Sequence, residues 1–156
     1  MLPLLLASSS KYRRELLARL QLPFTCSSPD NDESHRPGEP AVELVKRLAK
    51  EKAQALAGSH TAHLIIGSDQ VAVLGDRIIG KPHTFENARD QLLSASGASV
   101  IFLTGLALLN SQTGDCQADC VPFTVHMRTL DQARIERYLR AEQPYDCAGS
   151  FKAEGL

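Results

Sequence analysis

The stretch IIGSDQVAVLGDRIIGKP, Ile65 to Pro82, decides the fold class. An apolar run leads to Asp69, is interrupted at GSDQ and resumes as VAVL, followed by Gly75-Asp76 and RII. Short apolar runs separated by a two-residue, Gly-led connection read as a β-hairpin, here ending beside Lys81. The stretch also poses a functional question. A strand that looks buried delivers a carboxylate, and an ionised carboxylate near a core needs partners.

Working outward, strands and helices alternate. LPLLLA reads as a short buried strand, and a helix from about Ser10 to Leu20 follows with Leu16, Leu17 and Leu20 on its inner face. Ser27 to Pro40, SSPDNDESHRPGEP, has no apolar periodicity and three prolines, which predicts a long surface loop. Loops of that length inside domains are often functional. A helix is expected over Ala41 to Ala57, then a strand from His63 to Ile66 leading into the hairpin. A further helix spans Thr84 to Ala95 with Phe85, Ala88 and Leu92 inward. Two strands, Val100 to Leu109 and about Cys116 to Met127, join at SQTGD. Thr129 and Gln132 are spaced as a capping box for a helix to about Leu139. Crossovers mixed with hairpins predict an α/β or α+β domain with a mixed sheet flanked by helices.

Composition narrows the class. The 156 residues are 43% hydrophobic, 22% charged and 5% aromatic, with a formal net charge of −1. That balance argues against a dominant nucleic-acid surface. The opening MLPLLLASSS lacks a basic n-region and runs directly into charged KYRRE, so no signal peptide or membrane anchor is expected. Cys116 and Cys120 lie about 13 Å apart along one strand at roughly 3.3 Å per residue, too far for a disulfide. No CxxC or HExxH spacing occurs among the four cysteines and five histidines. Free thiols in the cytoplasm are therefore expected.

Three placements sit badly with a purely structural role. In ASSSKYRR, Ala7 to Arg14, a strand ends in three serines and turns into a helix, an arrangement that favours a bound anion. Arg13 and Arg14 sit in the first turn, where a cation is disfavoured by about 0.3–1 kcal/mol. A serine N-cap with solvated arginines is the simpler reading of the same residues. Lys52 falls inside the apolar stripe Ala41, Leu44, Val45, Leu48, Ala55 and Leu56. It either snorkels to the edge of the core or aims a cation inward at a ligand. Asp69 is either a strand-end turn residue or a site carboxylate with Lys52, Lys81 or a metal as partner. Taken together with Asp32 and Glu33 in the long loop, these residues are the parts that phosphoanhydride hydrolysis requires: cations to cradle phosphates and carboxylates to hold a divalent ion and activate water. There is no GxxxxGK[ST] P-loop.

The segments LASSSKYRRELL, DES, LAKEKA, GSDQV, GKP, TGLAL and CAGSFKAEG occur in register along the chain. Through them the sequence, from about Leu5 to Gly155, resembles the Maf family of nucleoside triphosphate pyrophosphatases. The resemblance implies an elongated fold of two lobes with a deep cleft, and hydrolysis of a nucleotide α–β bond with Mg²⁺ or Mn²⁺. It implies Asp69 as catalytic carboxylate, Ser9, Arg13, Lys52 and Lys81 as phosphate ligands, and Glu33 as an acidic or metal-binding residue. Tyr12, Gln70 and Glu154 resemble the branch acting on 7-methyl-GTP, where the dTTP/UTP branch typically has Arg, Thr and Gln. Nucleotide binding without turnover, in regulation of septum formation, is the alternative from another class. Partners are then a small nucleotide, with no nucleic acid and no membrane, and a homodimer is compatible with the resemblance. Family members continue past Gly155 with a further strand and helix, so the chain is expected to lack that C-terminal part of the domain.

Overall fold

In the computed structural model, which describes residues 1–145 and 147–150, short apolar strands alternate with helices to build a mixed six-stranded sheet. The elements are β1 (Leu4–Ala7), α1 (Lys11–Ala18), β2 (Phe24–Ser27), α2 (Ala41–Ala55), β3 (Leu64–Leu74), β4 (Arg77–Ile79), α3 (Phe85–Ala95), β5 (Ser99–Asn110), β6 (Cys116–His126) and α4 (Gln132–Glu142). The sheet order is β2-β1-β3-β5-β6, with β4 also paired to β3. β1 runs parallel to both β2 and β3, with Leu5 opposite Thr25 and Ile65. Parallel neighbours need crossovers, and the segments carrying α1 and α2 supply them. β4 is antiparallel to β3, with Leu74 opposite Arg77 across the Gly75-Asp76 turn, where Gly75 has φ +63.

The chain divides into two units, one of residues 1–69 and 104–121, the other of residues 70–103 and 122 onward. In the first, Leu5, Ala7, Ile65 and Leu109 of the strands pack against Ala53 of α2 and Leu56 just beyond it. Burying a large aliphatic side chain of this kind is worth about 1.5–3 kcal/mol. Two glycines set how close α2 comes to the strands. A Cβ on Gly67 would stand 2.0 Å from Ala49 O, and one on Gly105 would stand 2.1 Å from Val45 O. The helix backbone therefore rests directly on β3 and β5, which only a residue without a side chain permits.

In the second unit Ala88 and Leu92 of α3 meet Ile135 and Leu139 of α4, with Phe85 packed against them as expected. Ala72, Ile79, Val100 and Phe102 form a second cluster with Ala95 and Ala148.

Four expectations need correction. GSDQ does not interrupt the strand: β3 continues through it, because Gly67 there accommodates α2 rather than marking a break. Phe24 to Cys26, unassigned by periodicity, and Ser27, expected to open the long loop, form the edge strand β2 beside β1. In α1 no residue is buried, and Leu16 and Leu20 are 57% and 63% exposed. Leu20 lies beyond the end of the helix, and of the leucines within it Leu17, about 100° round from Leu16, is the partly buried one. Thr129 does not cap α4. Asp131 does, accepting from Arg134 N at 2.8 Å, which starts the helix later than the capping-box spacing suggested.

Candidate active site

Lys52 is the buried centre of a polar cluster. The buried stripe of α2 is Leu44, Val45, Leu48, Ala49, Lys52 and Ala53, so helical periodicity carries this lysine into the interior, where it is 7% exposed. Its Nζ lies 3.0 Å from Asp69 Oδ1 and 3.0 Å from Glu33 Oε1. A buried ammonium requires such partners, and the snorkelling arrangement does not hold. Asp69 follows Ile65 and Gly67 at every second position of β3, and so shares the strand face that receives α2. The glycine contacts thus fix the distance between the strand that carries the carboxylate and the helix that carries the lysine.

The first turn of α1 supplies a second cation to the same unit. Burial pulls the Arg13 guanidinium below its ordinary pKa, and the charges of Asp69 and Glu33 act in the opposite direction. The two carboxylates thereby offset the unfavourable placement of a cation at a helix start. Of the three serines, Ser10 caps α1 by accepting from Arg13 N at 3.3 Å, and the buried Ser8 accepts from Ser10 N at 3.0 Å. Ser9 is exposed, with its hydroxyl in none of these contacts.

In the loop after β2, adjacent acids have separate roles. Asp32 Oδ1 accepts from Ser34 N at 2.8 Å, and hydrogen bonding by Ser34 holds the Asp32 carboxyl below its ordinary pKa. Asp32 therefore shapes the turn, leaving Glu33 to reach Lys52. Sequence reasoning missed Arg47, which lies off the apolar stripe of α2. It is 15% exposed, with its guanidinium donating to Glu39, Glu51 and the backbone oxygen of Ser34. The i,i+4 spacing of Arg47 and Glu51 was the available signal.

The remaining predicted residues are distributed as follows. Tyr12 is partly buried in the first turn of α1. Gln70 follows Asp69 on β3 and is exposed. Lys81 is exposed two residues beyond β4, in the second unit, and makes no ion pair among the described residues. Glu154 lies outside the described residues. Among the described residues no three His, Cys, Asp or Glu side chains form a metal-binding group. No helix among them is long and apolar enough to cross a membrane.

Comparison with known proteins gives a family match, described as Maf-like protein, over residues 3–156. The chain is 86% identical over 156 residues to a 7-methyl-GTP pyrophosphatase of Pseudomonas fluorescens Pf0-1, covering 100% of this chain and 81% of that protein. It is 68% identical over 153 residues to the protein of that name from Pseudomonas aeruginosa PAO1, covering 98% and 80%. The protein of that name from Alcanivorax borkumensis SK2 is 58% identical over 153 residues, covering 98% and 78%.

Proposed function

The chain belongs to the Maf family, and from that premise we propose that it is a pyrophosphatase hydrolysing the α–β phosphoanhydride of 7-methyl-GTP to 7-methyl-GMP and pyrophosphate. The observation that carries this reading is the 86% identity over all 156 residues to a relative of that name. The cluster of Arg13, Glu33, Lys52 and Asp69 suits the chemistry. Asp69 is held at a fixed point by Lys52 and can orient a water molecule and take its proton as the water attacks the α-phosphorus. Arg13 and Lys52 can bind phosphate oxygens, and a fixed cation favours charge developing on the leaving pyrophosphate. We assign Ser9 and Lys81 to phosphate binding on the motif match alone.

Two cations and two carboxylates cancel one another in this cluster, so a triphosphate arriving there brings uncompensated negative charge. A divalent cation suits that deficit. Mg²⁺ is commonly held by one or two carboxylates together with substrate phosphates rather than by an all-protein cage. Glu33 and Asp69, both within 3.0 Å of the same Lys52 nitrogen, would hold it. When bound, Mg²⁺ or Mn²⁺ supplies charge neutralisation at the phosphates. The enzyme works in the cytoplasm on this reading, in keeping with four free cysteines.

Selectivity is attributed to Tyr12, Gln70 and Glu154. N7 methylation makes guanine cationic, and an aromatic face attracts a cation by about 0.5–2 kcal/mol. Glu154 can accept from the N1–H and the exocyclic amine, with a charge that suits the cationic ring. The test incubates the protein with 7-methyl-GTP, GTP, dTTP and UTP and identifies products by chromatography. Preferred release of 7-methyl-GMP and pyrophosphate is expected. Tyr12→Ala and Glu154→Gln should each reduce kcat/KM for 7-methyl-GTP about tenfold more than for GTP. A preference for dTTP or UTP, or binding without pyrophosphate release, overturns the assignment.

A further inference from the structure

We propose that Arg47 is a positioning residue for Glu33, fastening the segment between β2 and α2 so that the Glu33 carboxylate is delivered to Lys52. The inference rests on the reading that Glu33 works in the site. Residues 28–40 contain neither strand nor regular helix, and the Glu33 side chain is 59% exposed, so no backbone ladder or core packing fixes its position. Arg47 is the anchor. Its Nε and Nη2 donate to the two Glu39 oxygens at 2.8 and 2.9 Å, a bidentate pair, and Nη2 also donates to Ser34 O at 3.0 Å. Nη1 donates to Glu51 at 3.2 Å, which holds the guanidinium against its own helix.

The contact at Ser34 is at the residue next to Glu33, and the contact at Glu39 is just before the start of α2. The neighbour of Glu33 and the far end of the segment that leads from it to α2 are therefore tied to one side chain. Asp32 and Ser34 close a turn around Glu33, which joins the residues on either side of it to the anchored Ser34. Arg47 and Lys52 stand five residues apart on the same helix, and α2 thereby carries both the anchor of the loop and the cation that Glu33 meets. Arg47 holds the Glu39 carboxyl below its ordinary pKa, so the pair is ionised at neutral pH. Lysine cannot replace this fork, because an ammonium lacks the planar donors that serve two carboxylates and a carbonyl at once.

The experiment compares Arg47→Met, Arg47→Lys, Glu33→Gln and the Arg47→Met/Glu33→Gln double variant by 7-methyl-GTP kinetics and by amide hydrogen exchange over residues 28–40. Arg47→Met is expected to lower kcat about tenfold or more while leaving KM within about twofold, the pattern of a group needed in the transition state. Amides 32–35 should exchange at least about tenfold faster, with β1 and β3 unchanged. Arg47→Lys should recover only part of the loss, and it carries the comparison if Arg47→Met does not fold. The double variant should be no slower than Glu33→Gln within about threefold, since both substitutions remove one function. Multiplicative losses in the double variant, or unchanged exchange at residues 32–35, overturn the inference. A wild-type protein that hydrolyses none of the nucleotides defeats the enzymatic reading instead, and the exchange result still judges Arg47 separately.

Discussion

Asp69 and Lys52 form one ion pair, yet removing each should have different consequences for stability. In Asp69→Ala the buried ammonium keeps Glu33, so no charge is orphaned. Turnover should fall by about 10²-fold or more, the scale of a lost general base, with a melting temperature close to wild type. Lys52→Met instead leaves two carboxylates around an apolar side chain. Loss of the shared cation should destabilise the protein by on the order of 1–3 kcal/mol while also weakening phosphate binding. Thermal melts with steady-state rates check both, and a stabilised Lys52→Met of normal activity would remove the lysine from the site. The place of Lys52 in the buried stripe was legible in sequence, because a lysine within an apolar stripe is an anomaly that periodicity exposes. Glu33 was not legible in that way. It lies in an aperiodic loop, where its charge marked it only together with Asp32 and the motif singled it out. Arg47 escaped because an arginine off the stripe reads as solvated, and its partners Ser34 and Glu39 are distant in pattern though near in space.

Among the elements, α2 matters most, and its seating depends on positions with no side chain. Gly67→Ala would set a methyl carbon 2.0 Å from Ala49 O, a backbone atom that cannot rotate away. The helix must shift, at a cost of about 1–3 kcal/mol for overpacking. For a chain of this size that lowers the melting temperature by roughly 2–12 °C. Because Lys52 is one turn beyond Ala49, kcat should fall even below the melting range. Gly58→Ala, which meets nothing within 4 Å, is the control and should melt as wild type. An unchanged melt for Gly67→Ala would refute the close contact. The glycine in GSDQ was visible in the sequence but suggested a strand break, since a glycine flags either a bend or a close approach and one strand alone cannot distinguish them. β2 was invisible for a related reason: FTCS is four residues with little alternation, and pairing with β1 makes it a strand.

At the scale of the whole molecule, the mixed sheet and its four helices were readable from periodicity, whereas the division into two units within β3 was not. A continuous strand gives no local signal that residues 64–69 and 70–74 belong to different units. Four reduced cysteines and a net charge of −1 leave the chain without covalent staples or a large excess of charge, so its stability rests on packing and on the internal ion pairs. The bridging lysine has a thermodynamic consequence for the resting protein. On the proposed reading that Glu33 and Asp69 would hold a divalent cation together with the substrate, Lys52 occupies both carboxylates until then, and folding and metal loading would be separate events. Linkage stabilises a native state only by ligands that it binds in preference to the unfolded chain. The protein without nucleotide should therefore melt at the same temperature, within about 1 °C, in excess EDTA and in millimolar Mg²⁺, as calorimetry can measure. Hydrolysis should stop in the chelator and resume when the metal is restored. A marked rise in melting temperature with Mg²⁺ alone would mean that the lysine yields its place before the substrate arrives.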